Sequence, residues 1–115
     1  MTNNKPKNDL PGIGEAQIEL LERLSNACAV SGDEGEVRKI VLEQVKPYAD
    51  EVKVDALGNV LVTRRGQGQT RLRVMLAAHM DEVGMMLTND EGDGIYRFEH
   101  VGGLEAWKLV GKPVW

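Results

Sequence analysis

His79 and Asp81 stand two positions apart at the end of an apolar run, Val74-Met75-Leu76-Ala77-Ala78, with Glu82, Val83 and Gly84 directly after them. In an extended chain, residues i and i+2 project to the same side with their Cα atoms about 6.5 Å apart. A carboxylate at that offset can lie beside the imidazole or share a ligand with it. The same spacing describes a satisfied histidine and a loop aspartate at an ordinary strand end. H-x-D alone does not choose between the two.

Other residues with chemical potential have plainer readings. Cys28 closes an apolar helical pattern, which predicts core packing rather than a nucleophile. Asp33, Glu34 and Glu36 fall in a first helical turn, where acids serve the helix dipole. The acidic turn over residues 89–94 lacks the ligand spacing and closing glutamate of a calcium loop. His100 is expected to be an exposed strand residue. Gly66 and Gly68 have the wrong spacing for a phosphate loop and no Lys-Ser/Thr after them. Arg64, Arg65, Arg71 and Arg73 are offset by nearby acids and read as a solvated edge.

The elements that must hold these residues follow from periodicity. Residues 1–14 are polar and then punctuated by glycine and proline, which predicts a mobile leader. Residues 15–27 carry Ile18, Leu20, Leu21 and Leu24 at helical spacing, predicting a helix with one face packed on a sheet. Ser31 with Glu34 three positions on has the capping-box pattern. The helix after it should run to about Tyr48, burying Val37, Ile40, Val41 and Val45, with Pro47 in a weak last turn. Residues 51–65 read as two strands around Gly58-Asn59. The apolar run before His79 shows no alternation, which suits a central strand buried on both faces of a parallel sheet. Ligands in such sheets bind beyond the carboxyl ends of the strands, where His79 and Asp81 fall. Residues 85–88 and 95–101 then read as strands flanking the acidic turn. Ile95, Arg97, Glu99 and Val101 lie on one face of the second, and Tyr96, Phe98 and His100 on the other.

The chain has 115 residues, 28% of them charged and 42% hydrophobic, as expected for one soluble domain. A net charge of −4 offers neither a nucleic-acid footprint nor a basic stripe for a membrane surface. No apolar run approaches the roughly 20 residues of a membrane span, and no signal-peptide core begins the chain. The single cysteine cannot form an internal disulfide, which points to the cytoplasm.

Taken together, five strings resemble the amino-terminal part of the tetrahedral or glutamyl-aminopeptidase-like family of dinuclear metallopeptidases, some of which carry the label endoglucanase. They are Ala29-Val30-Ser31-Gly32-Asp33-Glu34, Lys46-Pro47-Tyr48, Val54-Asp55-Ala56-Leu57-Gly58-Asn59, the run from Met75 through His79-Met80-Asp81-Glu82 to Gly84, and Val101-Gly102-Gly103. The resemblance covers nearly everything from about Ile18 onward. It implies an α/β fold: the start of a phosphorylase/hydrolase-like metallopeptidase domain over residues 15–82, with two helices, a hairpin and the central buried strand. Residues 83–115 would open an all-β insert used for subunit contacts. It implies that His79 is a ligand of one of two divalent metal ions, zinc, cobalt or manganese. Asp81 would be the carboxylate that orients the ring, as outer partners of ligating histidines do. The complete enzyme would release amino-terminal amino acids from peptides, as a homo-oligomer. The metals would polarise the carbonyl and activate water, and a downstream glutamate would act as general base.

The same resemblance places the bridging aspartate, the glutamate pair, a further carboxylate and the final histidine beyond Trp115. One ligand does not make a catalytic centre, which normally takes three protein ligands. The expectation is an incomplete segment, inactive alone, with apolar surface left open. The alternative is a non-catalytic remnant or assembly module. A glycoside hydrolase ranks last, since no pair of carboxylates flanks a sugar site.

Overall fold

The computed structural model describes residues 12–69 and 72–114. Of the predicted leader only Gly12 to Gly14 fall among them, and Arg71 lies outside. Helix α1 spans Glu15–Asn26. Its entrance is closed by Gln17, whose Oε1 accepts the Gly14 N–H at 3.0 Å, satisfying a donor that the first turn leaves free. The helix forms where its periodicity places it, but it does not bury a face on a sheet. None of its residues is buried, and Ile18 and Leu21 are exposed. Its neighbour is helix α2, reached through an Arg23–Glu43 ion pair at 2.7 Å.

Helix α2, Gly35–Val45, runs into a 3₁₀ turn over Lys46–Tyr48. Pro47 lacks the N–H that an α-helical turn would need, and the chain tightens there as expected. Glu34, not Ser31, is the N-cap. Val37 is the buried residue of this helix.

Strands β1, Glu51–Val54, and β2, Val60–Thr63, form an antiparallel hairpin with Val54 opposite Val60. The connection is wider than a two-residue turn. Asp55 organises it, accepting the N–H groups of Leu57 and Asn59 at 3.0 and 2.9 Å and the Asn59 side-chain amide at 2.9 Å. Arg38 Nε then donates to the Gly58 carbonyl at 2.8 Å, fixing the hairpin tip to α2.

Strands β3, Gly84–Gly92, and β4, Ile95–Val101, make a second antiparallel hairpin. β3 continues through most of the predicted acidic turn. Only Asp93 and Gly94 turn the chain, both at positive φ (54° and 77°), as a two-residue hairpin loop with the strands' own twist requires. Breaks in register between Leu87 and Asn89 and between Asp90 and Gly92 absorb the extra residues. The acids are spent locally: Asp90 accepts the Gly92 N–H at 2.9 Å, and Glu91 pairs with Arg97.

The apolar run before His79 is the main departure from expectation. Residues 72–80 are extended but belong to no strand, and Leu72, Val74, Met75 and Leu76 are exposed, Leu76 at 95%. Among the described residues each hairpin pairs within itself, and neither two-stranded sheet takes this run in as a further strand. Its far end makes a single parallel bridge, Val30 with Glu82. Cys28 is exposed rather than packed; the buried position goes to Ala29, next to it. Ala29 at 2% and Val37 at 7% exposure are the core, so the best-packed point is where the loop before α2 meets residue 82. No helix among the described residues is long and apolar enough to cross a membrane.

Candidate functional site

That point of packing is also where the chemistry-bearing residues converge. The chain leaving α1 is held along the end of the extended run. The Glu82 N–H donates to the Ala29 carbonyl at 2.7 Å, and the Ala29 N–H donates to Glu82 Oε1 at 3.3 Å. Directly after, residues 30–33 form a β-turn closed by the Asp33 N–H on the Val30 carbonyl at 2.8 Å. Gly32 supplies its third position with φ of 95°, a conformation that favours glycine. Ser31, at the second position, is thereby aimed across the bridge. Its hydroxyl donates to Asp81 Oδ2 at 2.5 Å.

The other carboxylate oxygen serves His79. Asp81 Oδ1 lies 3.3 Å from His79 Nδ1, and the Asp81 carbonyl oxygen lies 2.9 Å from the same nitrogen. Both neighbours are acceptors only, so Nδ1 is the donor, and in the neutral ring the lone pair falls to Nε2. The His79 side chain is 86% exposed, which leaves Nε2 open to a ligand. Donation from Ser31, followed by the smaller effects of the backbone and of the imidazole, holds the Asp81 carboxyl below the usual aspartate range against the opposing pull of partial desolvation. Asp81 stays an anion beside the ring.

Glu34 braces the turn. Its Oε1 accepts the Gly32 N–H at 2.6 Å, and its Oε2 lies 3.2 Å from Arg38 Nη2. The bond from Gly32, with help from the Arg38 charge, holds its carboxyl below the ordinary glutamate value. A cleft of about 570 Å³ opens beside these groups, with His79, Asp81, Glu34, Asn59 and Val37 in its wall. His100 lies on β4 opposite Met85 and does not line it.

Sequence spacing placed His79 and Asp81 together, and the structure does so. It missed Ser31, whose S-x-x-E pattern reads as a helix cap. The glycine after it was the available signal, since Ser-Gly before an acid suits a turn as well as a helix entrance. The donor set fits part of a metal site: one imidazole with a free Nε2 and a carboxylate fixing its ring. Among the described residues, no group of three His, Cys, Asp or Glu side chains comes together to hold a metal ion.

The chain is similar to known proteins in sequence and in fold. The profile of the M42 glutamyl aminopeptidase family matches residues 58–115, half of the chain and the half that holds His79 and Asp81. A putative aminopeptidase of Acetivibrio thermocellus is 39% identical over 100 residues, covering 87% of this chain and 29% of that protein. The crystal structure of a TET aminopeptidase from a marine sediment archaeon of the Thaumarchaeota superposes with a TM-score of 0.67 at 41% identity, covering 75% of this chain and 23% of that one. An endoglucanase structure from Thermotoga maritima gives 0.74 at 38% identity, covering 80% and 29%. The chain thus spans under a third of the length of these proteins. On the profile match and these likenesses, the chain belongs to the M42 glutamyl aminopeptidase family.

Proposed function

We propose that this chain is the amino-terminal part of a metal-dependent aminopeptidase that releases amino-terminal residues from peptides. One observation carries the reading: within the family-matched segment, Asp81 engages the Nδ1 side of His79 with two acceptors and leaves Nε2 of this exposed, cleft-lining side chain free for a ligand. In this reading His79 is a ligand of one of two divalent metal ions (zinc, cobalt or manganese) and Asp81 orients it. When bound, such ions supply Lewis acidity toward a peptide carbonyl and an activated water. The residues of this chain contribute the orientation: Asp81 fixes the ring, and Glu34 with Arg38 fixes the turn beside it.

Residues 15–82 are then part of the α/β catalytic domain, and residues 83–115 open the β insert through which the complete protein forms a homo-oligomer. A cytoplasmic location agrees with the lone cysteine. A second reading is a non-catalytic assembly module, for which the exposed apolar run around Leu76 offers a contact surface.

Hydrolysis of amino-acid anilides with added cobalt or zinc separates the two. The 115-residue chain should show no turnover, and a longer product that carries the remaining ligands should show metal-dependent turnover. Robust activity of the short chain would contradict its incompleteness. An inactive, metal-free longer product would favour the assembly module.

A further inference from the structure

We propose that Ser31 is a positioning residue for His79, acting through Asp81. The inference rests on the reading of His79 as a metal ligand and adds to it a residue 50 positions away in the chain.

A carboxylate on a short side chain turns easily about its last torsion, whose preferences are broad. Asp81 therefore needs a second contact if one oxygen is to stay on His79 Nδ1. Ser31 provides it. Its hydroxyl bonds Oδ2 at 2.5 Å while Oδ1 stays 3.3 Å from the imidazole. A hydroxyl on an ionised carboxylate makes a short, charge-assisted bond, about twice as strong as a neutral one. The hydroxyl is itself fixed. The turn over residues 30–33 is closed by the Asp33 N–H at 2.8 Å, Glu34 accepts from Gly32 at 2.6 Å, and Arg38 links Glu34 to the Gly58 carbonyl. The carboxylate's contact with the imidazole is thus set by a relay that starts on α2 and the hairpin tip and ends in one serine, while the Asp81 carbonyl at 2.9 Å engages the same nitrogen directly.

Ser31 is not a nucleophile in this geometry. An activated serine hydroxyl is bonded to a basic nitrogen, whereas the nitrogen of His79 nearest this group faces Asp81. The hydroxyl hydrogen is committed to the carboxylate.

The experiment is cobalt(II) binding to the full-length protein, followed by visible absorption and by competition with zinc. Ser31→Ala should weaken Co²⁺ binding about tenfold, at the lower end of what loss of an outer partner costs. Ser31→Thr keeps the hydroxyl and should restore affinity to within about twofold, on the same reasoning. Asp81→Ala should weaken binding at least as much as Ser31→Ala. In the Asp81→Ala background, Ser31→Ala should cost nothing more, because the serine has lost the group through which it acts. Wild-type affinity in Ser31→Ala, no rescue by threonine, or an equal loss in the Asp81→Ala background would each overturn the proposal. His79→Ala tests the reading beneath it. If cobalt binds as well without that imidazole, the ligand assignment falls; if binding is lost there but not in Ser31→Ala, only the serine's role falls.

Discussion

Gly84 sits where Val30 leaves no room for a side chain. A Cβ at this position would meet Val30 Cγ2 at 2.3 Å and Cγ1 at 3.0 Å. Val30 is also the residue that bridges to Glu82 and begins the turn holding Ser31. Gly84→Ala should therefore push the turn off the extended run, at a cost of about 1–3 kcal/mol for an overpacked contact. Urea unfolding of the two proteins measures it, and a difference below about 0.5 kcal/mol would mean that the contact opens freely. At this scale the sequence was partly legible. His79 and Asp81 are uncommon residue types in a local pattern, so spacing alone brought them forward. Ser31 reaches them across 50 positions, and no local pattern encodes such a contact. Gly84 stood in the recognised string without a visible reason, and its reason is Val30.

Periodicity and punctuation located the elements better than their surroundings. α1, α2 with its proline-tightened end, and the four hairpin strands lie near where apolar spacing and Pro47 put them, but the second turn narrows from the expected residues 89–94 to Asp93-Gly94 and the first widens beyond Gly58-Asn59. The apolar run Val74–Ala78 departs from the expected buried strand because such a run states only that it suits burial, not what covers it. The β1–β2 connection shows how one side chain can define an element. Donation from the Asn59 amide, joined by the backbone N–H groups of the loop, holds the Asp55 carboxyl below its ordinary value of 3.8. A folded-state value below the unfolded one means that these bonds stabilise the hairpin above about pH 4 and are lost as pH falls through the folded value. Amide resonances of Leu57 and Asn59 should accordingly move together on acidification below about pH 4. In Asp55→Ala they should already sit at the acid-side positions at neutral pH. Flat resonances in the wild-type protein would show that the loop stands without the carboxylate.

As a whole the molecule is open. Its radius of gyration is 20.8 Å, against about 13 Å for a compact domain of similar length. Its accessible surface is 11063 Å², well above the roughly 6,200 Å² expected of a compact protein of this mass. Many large apolar side chains are exposed, and the run around Leu76 joins such side chains to backbone outside any sheet, which is the combination that invites strand-to-strand association. The 115-residue chain should self-associate, and Leu76→Lys should reduce that association while leaving the helical signal in circular dichroism unchanged. Sedimentation velocity reads the first effect; undiminished association in the variant would place the adhesive surface elsewhere.

The bond from the Glu82 N–H to the Ala29 carbonyl has a kinetic consequence. It joins positions 53 apart in the chain, about two doublings beyond the interval closed by the Asp50 N–H on the Thr63 carbonyl at the base of the first hairpin. Each doubling of a flexible loop adds about 0.6 kcal/mol of closure entropy. The hairpin should form early and cheaply, and the bridge that places Ser31 against Asp81 should form late. Once formed, the bridge is backed by the buried Ala29, so the Glu82 amide should exchange its hydrogen more slowly than the Asp50 amide at the exposed hairpin. The half-site is then the last part of this chain to assemble and, once assembled, the best protected.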